Sequence, residues 1–354
     1  MRKLLRRLVD FALGLIPLPL YRRLFPRPAV GIFYHSVSDE RLPHQVHTYP
    51  SESVARFEAA LRYIHRHFNP VTYQQLEDHY ERGAPLPPRA FHLSFDDGFA
   101  ECFSVVRPLL LKYEIPCTFF VTTDWLDDAR MFYRHKQSLA VEHYQQLAPP
   151  EQAAALAAIN LEFGLDLRDG DGFADWAGTL TRAEDEHITC AAQLIGLDLD
   201  AYRASRDLYL TREQVKQMHA EGFTIGAHTR SHWKLAELSS AEQRAAEVLE
   251  SAQAVAALTG EARVPFAFPY SGNGVERAEL AALRQAHPQL GLIFDTQKLQ
   301  PDASFIVQRI WAEQVTFRGA GRTTNVPALL CDAYIQEAWR ALRRFWTVGA
   351  GTRD

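Results

Sequence analysis

Two short stretches of the chain place carboxylates and imidazoles where predicted strands end. An apolar run over 91–95 ends in Asp96, Asp97 and a glycine, and a second apolar run ends in His228 and His232. One carboxylate and two imidazoles form the three-ligand set of a catalytic divalent metal, with one position left for water. The remaining carboxylate is then available as a base. The two stretches together predict a metal-dependent hydrolase.

Each stretch taken alone has an ordinary explanation. Asp-Asp-Gly is a common turn sequence, and two histidines four residues apart are frequent by chance and often partly solvated. A third apolar run over 266–270 also ends in a polar turn, which contains Tyr270. The joint occurrence of three such strand ends favours a shared site over three unrelated turns.

The elements that must position these residues alternate along the chain. Strands are predicted at 29–34, 91–95, 115–122, 223–228, 266–270, 290–295 and 305–310. Helices are predicted at 54–68, 72–83, about 105–110, 211–222, 239–258, 275–286 and 327–346. Three of them begin with residues at capping-box spacing: Thr72 and Gln75, Thr211 and Gln214, Ser239 and Glu242.

Such alternation indicates parallel strands joined by helical crossovers. With about seven units, and polar candidates at the C-terminal ends of strands, we predict an α/β TIM-like barrel. A doubly wound open sheet is the alternative. Residues 125–207 lose the strand pattern and alternate Ala-rich with Asp/Gly-rich segments, which predicts a helical insertion within a barrel domain over 29–354.

The N-terminal residues 1–28 are basic, then apolar, then basic again. No small-residue cleavage site follows the apolar run, which is shorter than the ~20 residues of a spanning helix. We predict an anchor on an anionic membrane surface, with contact through residues 1–24. A first helix packed on the domain is the alternative. The expected location is cytoplasmic, with peripheral attachment to the inner membrane face.

Composition restricts the possible partners. The chain has 354 residues and a net charge of −5, which gives no reason to expect nucleic acid as a partner. Its four cysteines show no CxxC spacing and are predicted to be small buried hydrophobic residues.

The three motifs resemble those of the polysaccharide deacetylase (NodB-type) family of carbohydrate esterases. Residues 94–98 match the first motif, 228–232 the metal-binding second and 268–270 part of the third. The resemblance covers about 29–123 and 208–311. It implies a distorted (β/α)7 barrel and hydrolysis of N-acetyl, sometimes O-acetyl, groups on sugars.

The resemblance also implies roles for single residues. Asp97, His228 and His232 are expected to bind zinc or a similar divalent ion, and Asp96 is expected to be the general base. The backbone N–H of Tyr270 is expected to stabilise the oxyanion.

The sequence departs from the family pattern at the arginine that begins the third motif, because Ala267 stands there. Arg309, at the end of a predicted strand, is the best substitute for steadying the catalytic aspartate. An arginine at the edge of the core, paired with any carboxylate, is an equal alternative.

A second departure concerns the general acid, since no histidine follows His287. Family members that act on poly-N-acetylglucosamine carry a Tyr-His pair near the start of the barrel instead, and Tyr34-His35 matches it. We predict that His35 protonates the departing amine. The alternative is a histidine that merely ends a strand.

Other polar and aromatic residues receive weaker predictions. Seven histidines are interpreted as surface or helix-face residues without a role: His44, His47, His65, His67, His79, His135 and His143. Four aromatic residues are candidates for a sugar groove, with Trp311 favoured: Trp125, Tyr133, Trp233 and Trp311.

The leading hypothesis is a metal-dependent N-deacetylase acting on an N-acetylhexosamine-containing glycan or glycolipid precursor. A deacylase or deformylase of a lipid-linked sugar is a second hypothesis, favoured by the N-terminal segment. A catalytically silent glycan-binding module is a third, and a full acid, base and metal-ligand set argues against it.

Overall fold

Parallel strands alternate with helices through most of the part of the chain that the computed structural model describes, residues 13–313, 316–317, 322–323 and 325–350. The strands are β1 (Ala29–Tyr34), β2 (Asn69–Pro70), β3 (Ala90–Phe95), β4 (Cys117–Val121), β5 (Thr224–Ala227), β6 (Val264–Ala267), β7 (Leu290–Asp295), β8 (Ile306–Trp311), β9 (Thr316–Phe317) and β10 (Arg322–Thr323).

The α-helices are α1 (Leu18–Leu24), α2 (Val54–His67), α3 (Tyr73–Arg82), α4 (Arg107–Lys112), α5 (Tyr133–Gln146), α6 (Pro149–Phe163), α7 (Gly170–Thr179), α8 (Asp185–Leu194), α9 (Leu199–Ser205), α10 (Arg212–Ala220), α11 (Ala241–Thr259), α12 (Arg277–Ala286) and α13 (Val326–Ala350). A π-helical turn spans Cys102–Val106, and 3₁₀ turns span Thr123–Asp128, Arg182–Glu184 and Leu235–Glu237.

Seven of the strands close into a barrel because β1 pairs in parallel with both β3 and β8. The remaining neighbours, from β3 through β8, are also parallel, and β2 adds to β3 outside the ring. The predicted (β/α)7 TIM-like barrel is confirmed, and the open sheet is excluded. Since all seven strands run the same way, their C-terminal ends meet at one rim.

Apolar residues explain why these segments become strands and helices. Every residue of β3, β4 and β7 is buried, as expected for strands covered on both faces. The apolar stripe of α2, Phe57, Leu61 and Ile64, is fully buried against the barrel.

Two of the three predicted capping boxes are confirmed, those that begin α3 and α10. The third was wrong by one residue. The hydroxyl of Ser240, and not that of Ser239, accepts the N–H of Gln243 at the start of α11. Ser239 instead donates from its own N–H to the Gln243 side chain.

Helices α5 to α9 lie between β4 and β5 and share a second apolar cluster, separate from the main core. Phe99, which follows β3, and Tyr209, which follows α9, are fully buried in the same cluster. The segment is therefore fastened to the barrel beside the rim. Of the four cysteines, Cys102 and Cys117 are buried, and the other two are half-buried.

The N-terminal segment is described only from residue 13, so residues 1–12 of the predicted membrane anchor lie outside the described part. In α1 the ring of Tyr21 is buried and stacks on Tyr334 of α13, with the centroids 5.9 Å apart. None of the helices described here is long and apolar enough to cross a membrane. Membrane contact through residues 1–24 stays a prediction.

Candidate active site

A cavity of about 340 Å³ opens at the rim where the C-terminal ends of the barrel strands meet. We call it the rim cavity, and six of the seven predicted site residues line it: His35, Asp96, Asp97, His228, His232 and Tyr270. The seventh, Arg309, is fully buried on β8 and contacts Asp96. The structure therefore brings all seven together, although they are separated by up to 274 residues in sequence.

Asp97, His228 and His232 converge on one point at the floor of the rim cavity. The Asp97 Oδ1 atom lies 3.2 Å from His228 Nε2 and 3.1 Å from His232 Nε2. All three side chains are buried, and their ligand atoms lie within 4.8 Å of one another. His228 Nδ1 donates to the Ala267 carbonyl oxygen at 2.9 Å, which leaves Nε2 as the ring nitrogen that faces the carboxylate.

The electrostatics of this cluster suit a cation. Burial would raise the pKa of Asp97, but the two histidines outweigh it and hold that pKa well below its usual range. Burial lowers the pKa of His232, which favours the neutral imidazole that metals bind. A carboxylate with two imidazoles fits a divalent metal, and its nitrogen-rich donor set matches zinc.

The backbone at these strand ends is strained. Asp97, His232 and Tyr270 have φ values of 77°, 63° and 61°, in the left-handed region that costs about 1–3 kcal/mol for a side chain other than glycine. Gly98 follows at 83°, where an added Cβ would lie 3.1 Å from the Val121 side chain. Strain of this kind concentrates at sites where a side chain must point in one direction.

Asp96 is held by a bidentate ion pair. Arg309 donates from Nη1 to Oδ1 at 2.6 Å and from Nη2 to Oδ2 at 2.8 Å, and a further Nη1 bond reaches Ser94. Phe33 and Phe120 flank the guanidinium, with centroids 4.4 and 5.1 Å from its central carbon. Arg309 thus makes the ion pair with Asp96 that is expected of a substitute for the arginine absent at Ala267.

The turn after β6 exposes a free backbone donor. The Tyr270 N–H has no acceptor among the described residues, and its carbonyl accepts from the Thr296 hydroxyl. Buried Asp295 accepts the Gly272 N–H at 2.8 Å and fixes the turn. A Cβ on Gly272 would lie 2.7 Å from the Phe268 ring, so only glycine fits there.

Comparison with known proteins settles the family. The family model described as polysaccharide deacetylase matches residues 83–165 and 176–289, which is more than half of the chain. The chain belongs to the polysaccharide deacetylase family.

Relatives agree with this assignment. A poly-beta-1,6-N-acetyl-D-glucosamine N-deacetylase of Escherichia coli K12 is 29% identical over 98 residues, covering 28% of this chain and 14% of that protein. Three solved structures share the fold. The deacetylase PplD of Streptococcus pyogenes, in complex with acetate, has a TM-score of 0.50 and 14% identity, covering 81% of this chain and 92% of PplD.

The other two structures are IcaB from Ammonifex degensii and a de-N-acetylase from Aggregatibacter actinomycetemcomitans. IcaB has a TM-score of 0.51 and 17% identity, covering 80% of this chain and 91% of IcaB. The de-N-acetylase has a TM-score of 0.52 and 18% identity, covering 82% of this chain and 97% of its own.

In this polysaccharide deacetylase family member, Glu313 holds His35 on the opposite wall of the rim cavity. His35 Nδ1 lies 2.6 Å from Glu313 Oε2, which also accepts from the Trp311 indole at 2.6 Å. Glu313 Oε1 accepts the backbone N–H groups of His35 and Ser36. Burial would lower the pKa of His35, but Glu313, together with Asp97 and Asp96, outweighs it and raises the pKa to about 9. A pKa of about 9 favours the protonated, cationic form of His35 at neutral pH.

Tyr49 joins the two walls, and sequence reasoning missed it. Its ring stacks on His35 with centroids 4.3 Å apart, and its hydroxyl donates to Asp97 Oδ2 at 2.5 Å. Asp97 therefore offers Oδ1 to the histidine cluster while Tyr49 orients its other oxygen. Hydrogen bonds of this kind to a ligand carboxylate tune metal affinity.

We expect Tyr49→Phe to weaken metal binding by about tenfold, because outer-shell hydrogen bonds contribute roughly 10–100-fold. The phenyl ring keeps the stack on His35, so only the bond to Asp97 is lost. Calorimetric metal titration measures the effect. Tyr63→Phe is the matched control, since Tyr63 lies in α2, packs on His67 and does not line the rim cavity. Equal affinities in the two variants would contradict the role of Tyr49.

Aromatic residues from the helical segment clamp His232. Trp125 stacks on its ring at 5.0 Å, and Phe132 meets it edge-on at 4.9 Å. His232 Nδ1 has no hydrogen-bond partner among the described residues, so ring packing fixes this imidazole. Trp125 is therefore a wall behind a candidate ligand and not a sugar platform, whereas Trp311 lines the rim cavity.

Two of the seven histidines interpreted as surface or helix-face residues are buried. His135 is fully buried, with Nδ1 2.6 Å from the Tyr209 hydroxyl, and His44 is fully buried beside it at 5.9 Å between ring centroids. Both lie in or against the apolar cluster of the helical segment, and burial lowers the pKa of each. The burial was not visible in the sequence because the partners of each ring, Tyr202 and Tyr209, are distant in the chain.

Proposed function

We propose that this chain is a metal-dependent N-deacetylase that removes acetyl groups from N-acetylhexosamine units of a glycan or glycolipid precursor. One observation carries the proposal: a buried Asp-His-His cluster, an arginine-held aspartate and a glutamate-held histidine share one cavity. The E. coli relative, whose name describes N-deacetylation of poly-N-acetylglucosamine, supports the choice of bond.

In this proposal Asp97, His228 and His232 hold the metal, with zinc as the expected ion. A divalent ion, when bound, lowers the pKa of water and polarises the acetyl carbonyl. Asp96 takes the proton from the attacking water, whose oxygen bonds to the carbonyl carbon. Arg309 holds the Asp96 carboxylate in place at the rim cavity through its two hydrogen bonds.

The other residues act on the oxygen and the nitrogen of the amide. The Tyr270 N–H donates to the developing oxyanion, an interaction that contributes about 3 kcal/mol in comparable sites. His35 gives its proton to the nitrogen as the C–N bond breaks, so acetate and a free amine leave. Glu313 keeps His35 protonated and oriented until that step.

The role of Glu313 predicts a pH-dependent defect. Glu313→Gln removes the main group that raises the pKa of His35, so His35 loses its proton at lower pH. The variant should lose about 10–100-fold in kcat near pH 8 and less near pH 6, because general acid catalysis needs the protonated ring. A pH–rate profile measures this, with Glu101→Gln, a buried glutamate that does not line the rim cavity, as control. A Glu313→Gln profile parallel to that of the unaltered protein would exclude the role.

The function is tested by metal analysis combined with acetate release from chitooligosaccharides and poly-β-1,6-N-acetylglucosamine. Bound metal and released acetate support the N-deacetylase. Metal-dependent release of formate or another acyl group, from a lipid-linked sugar only, favours the alternative deacylase. Sugar binding without metal or turnover favours the silent module.

We also propose peripheral contact with an anionic membrane through residues 1–24, at the inner face. The basic and apolar sequence of that segment supports it. Co-sedimentation with vesicles that contain anionic lipid, compared with neutral vesicles, tests this part separately.

A further inference from the structure

One cation at the mouth of the rim cavity has no use in the reaction described above. Arg134 lines the cavity and is exposed, and no carboxylate within 4 Å of it is present among the described residues. Its guanidinium lies 5.6 Å from the Tyr270 ring centroid, and its Nε donates to the Tyr133 hydroxyl at 3.2 Å. Aromatic contacts therefore hold the side chain at the opening without neutralising its charge.

The carboxylates that line or underlie the rim cavity are all occupied by other groups. Asp96 is paired with Arg309, Glu313 with His35, and Asp97 with the two histidines of the cluster. Arg134 thus forms no close ion pair with the described carboxylates, and Glu237 acts on it only at longer range. A substrate that reaches the candidate metal ligands through this opening passes a free guanidinium.

Helix stability does not explain this arginine. Arg134 is the second residue of α5, whose first turn has no acidic residue. A cation at the N-terminal end of a helix is unfavourable to the helix dipole. The position therefore costs the helix a little, which is consistent with a role in binding.

The spacing indicates where on the substrate an anion would lie. The Tyr270 ring contacts both groups: its centroid lies 5.6 Å from the guanidinium carbon and 5.1 Å from the centroid of the His232 ring. A pyranose is a six-membered ring of similar size. An acetamide at the candidate metal ligands therefore brings a group on the same sugar, or at its glycosidic oxygen, to Arg134.

We propose that the substrate is acidic: an N-acetylated amino sugar that carries a phosphate or a carboxylate bound by Arg134. The proposal rests on the proposed N-deacetylase function and adds the charge class of its substrate. Guanidinium binds both oxyanions through paired N–H groups, so the two sources share one chemistry.

Kinetics test the proposal with the metal-loaded chain. We expect kcat/KM for acetate release from N-acetylglucosamine 1-phosphate to exceed that from N-acetylglucosamine by about tenfold or more, as for one charge-assisted contact. In Arg134→Gln the ratio should fall towards one, and Arg134→Lys should keep part of it. Arg130→Gln is the matched control, an exposed arginine that does not line the rim cavity, and it should keep the full ratio.

A disaccharide of N-acetylglucosamine and glucuronic acid distinguishes the carboxylate from the phosphate. Preference for either acidic substrate, lost in Arg134→Gln, supports the proposal and identifies the source. Equal ratios in the unaltered protein and Arg134→Gln, with acetate released from all substrates, overturn it and leave the N-deacetylase function intact.

Binding separates this proposal from the function on which it rests. The dissociation constants of N-acetylglucosamine 1-phosphate and N-acetylglucosamine are compared calorimetrically on metal-loaded Asp96→Asn, with and without Arg134→Gln. Tighter phosphate-sugar binding that depends on Arg134 supports an acidic ligand even if no substrate releases acetate, in which case only the deacetylase function fails. Equal binding of both sugars overturns the proposal.

Discussion

Asp96→Asn is expected to lower kcat for acetate release by about 10²–10⁴-fold while the metal remains bound. The size of the loss is that of a general base, and the metal remains because Asp96 is not among the three clustered ligand residues. Metal content after dialysis and initial rates at saturating substrate measure the two effects. Near-normal turnover in Asp96→Asn would place the base elsewhere.

The same substitution also affects stability, because it breaks a buried ion pair. Arg309 is fully buried and forms its ion pair with Asp96, so the substitution leaves its charge unpaired. An uncompensated buried charge costs about 3–5 kcal/mol. Asp96→Asn should therefore unfold at a lower denaturant concentration, and rates must be compared well below its melting temperature. The loss of turnover caused by a missing general base must then be separated from the loss of stability caused by a missing salt bridge.

A double variant separates the effect on stability from the effect on turnover. In Asp96→Asn/Arg309→Met both charges are gone, so much of the free energy of unfolding should return, since replacing a whole buried pair is often nearly neutral. Turnover should not return. Ser94→Ala is the control, because it removes an uncharged acceptor of Arg309 and leaves Asp96 paired. Recovery of activity in the double variant would reduce Asp96 to a structural partner.

The barrel and the strand-end residues could be predicted from sequence because both depend on local patterns. Apolar runs that end in Asp96-Asp97 and in His228 mark strand ends, and parallel strands place those ends at one rim. Arg309 followed from the same rule, since it lies near the end of β8. Glu313 obeys the rule as well, two residues beyond Trp311, so the pattern that indicated Arg309 also contained it.

Tyr49 and Arg134 had no such signal. Tyr49 lies in the loop between β1 and α2, and Arg134 is the second residue of α5 in the helical segment. What carries each to the rim cavity is a tertiary contact: Tyr49 with His35, and Arg134 with Tyr270. Contacts between segments so far apart leave no periodicity in the sequence. The same reason explains why His135, surrounded by polar neighbours in the chain, proved to be buried.

Removing any one of the three candidate ligands is expected to weaken metal binding by more than ~100-fold. This exceeds the roughly 10–100-fold effect of an outer-shell group, because only three protein side chains hold the ion. Asp97→Ala, His228→Ala and His232→Ala should each lose metal on dialysis against a chelator. Each should also lose the rise in melting temperature that zinc gives the unaltered protein, since only a bound ligand stabilises the folded state. Metal content and melting curves measure both effects without any substrate.

His135→Ala is the control that separates ligation from burial. His135 is as buried as the ligands and contacts the same Trp125 and Phe132 rings, at 5.5 and 5.1 Å, yet it lies outside the Asp-His-His cluster. Its removal should lower the free energy of unfolding through lost packing while metal still binds.

The metal-free forms of two ligand variants should differ in stability. His232→Ala removes a buried ring nitrogen, Nδ1, that has no hydrogen-bond partner among the described residues. Without metal, His232→Ala should therefore lower the free energy of unfolding less than His228→Ala does. His228→Ala leaves the Ala267 carbonyl oxygen without its hydrogen-bond donor. Full metal occupancy in any of the three ligand variants would remove that residue from the site.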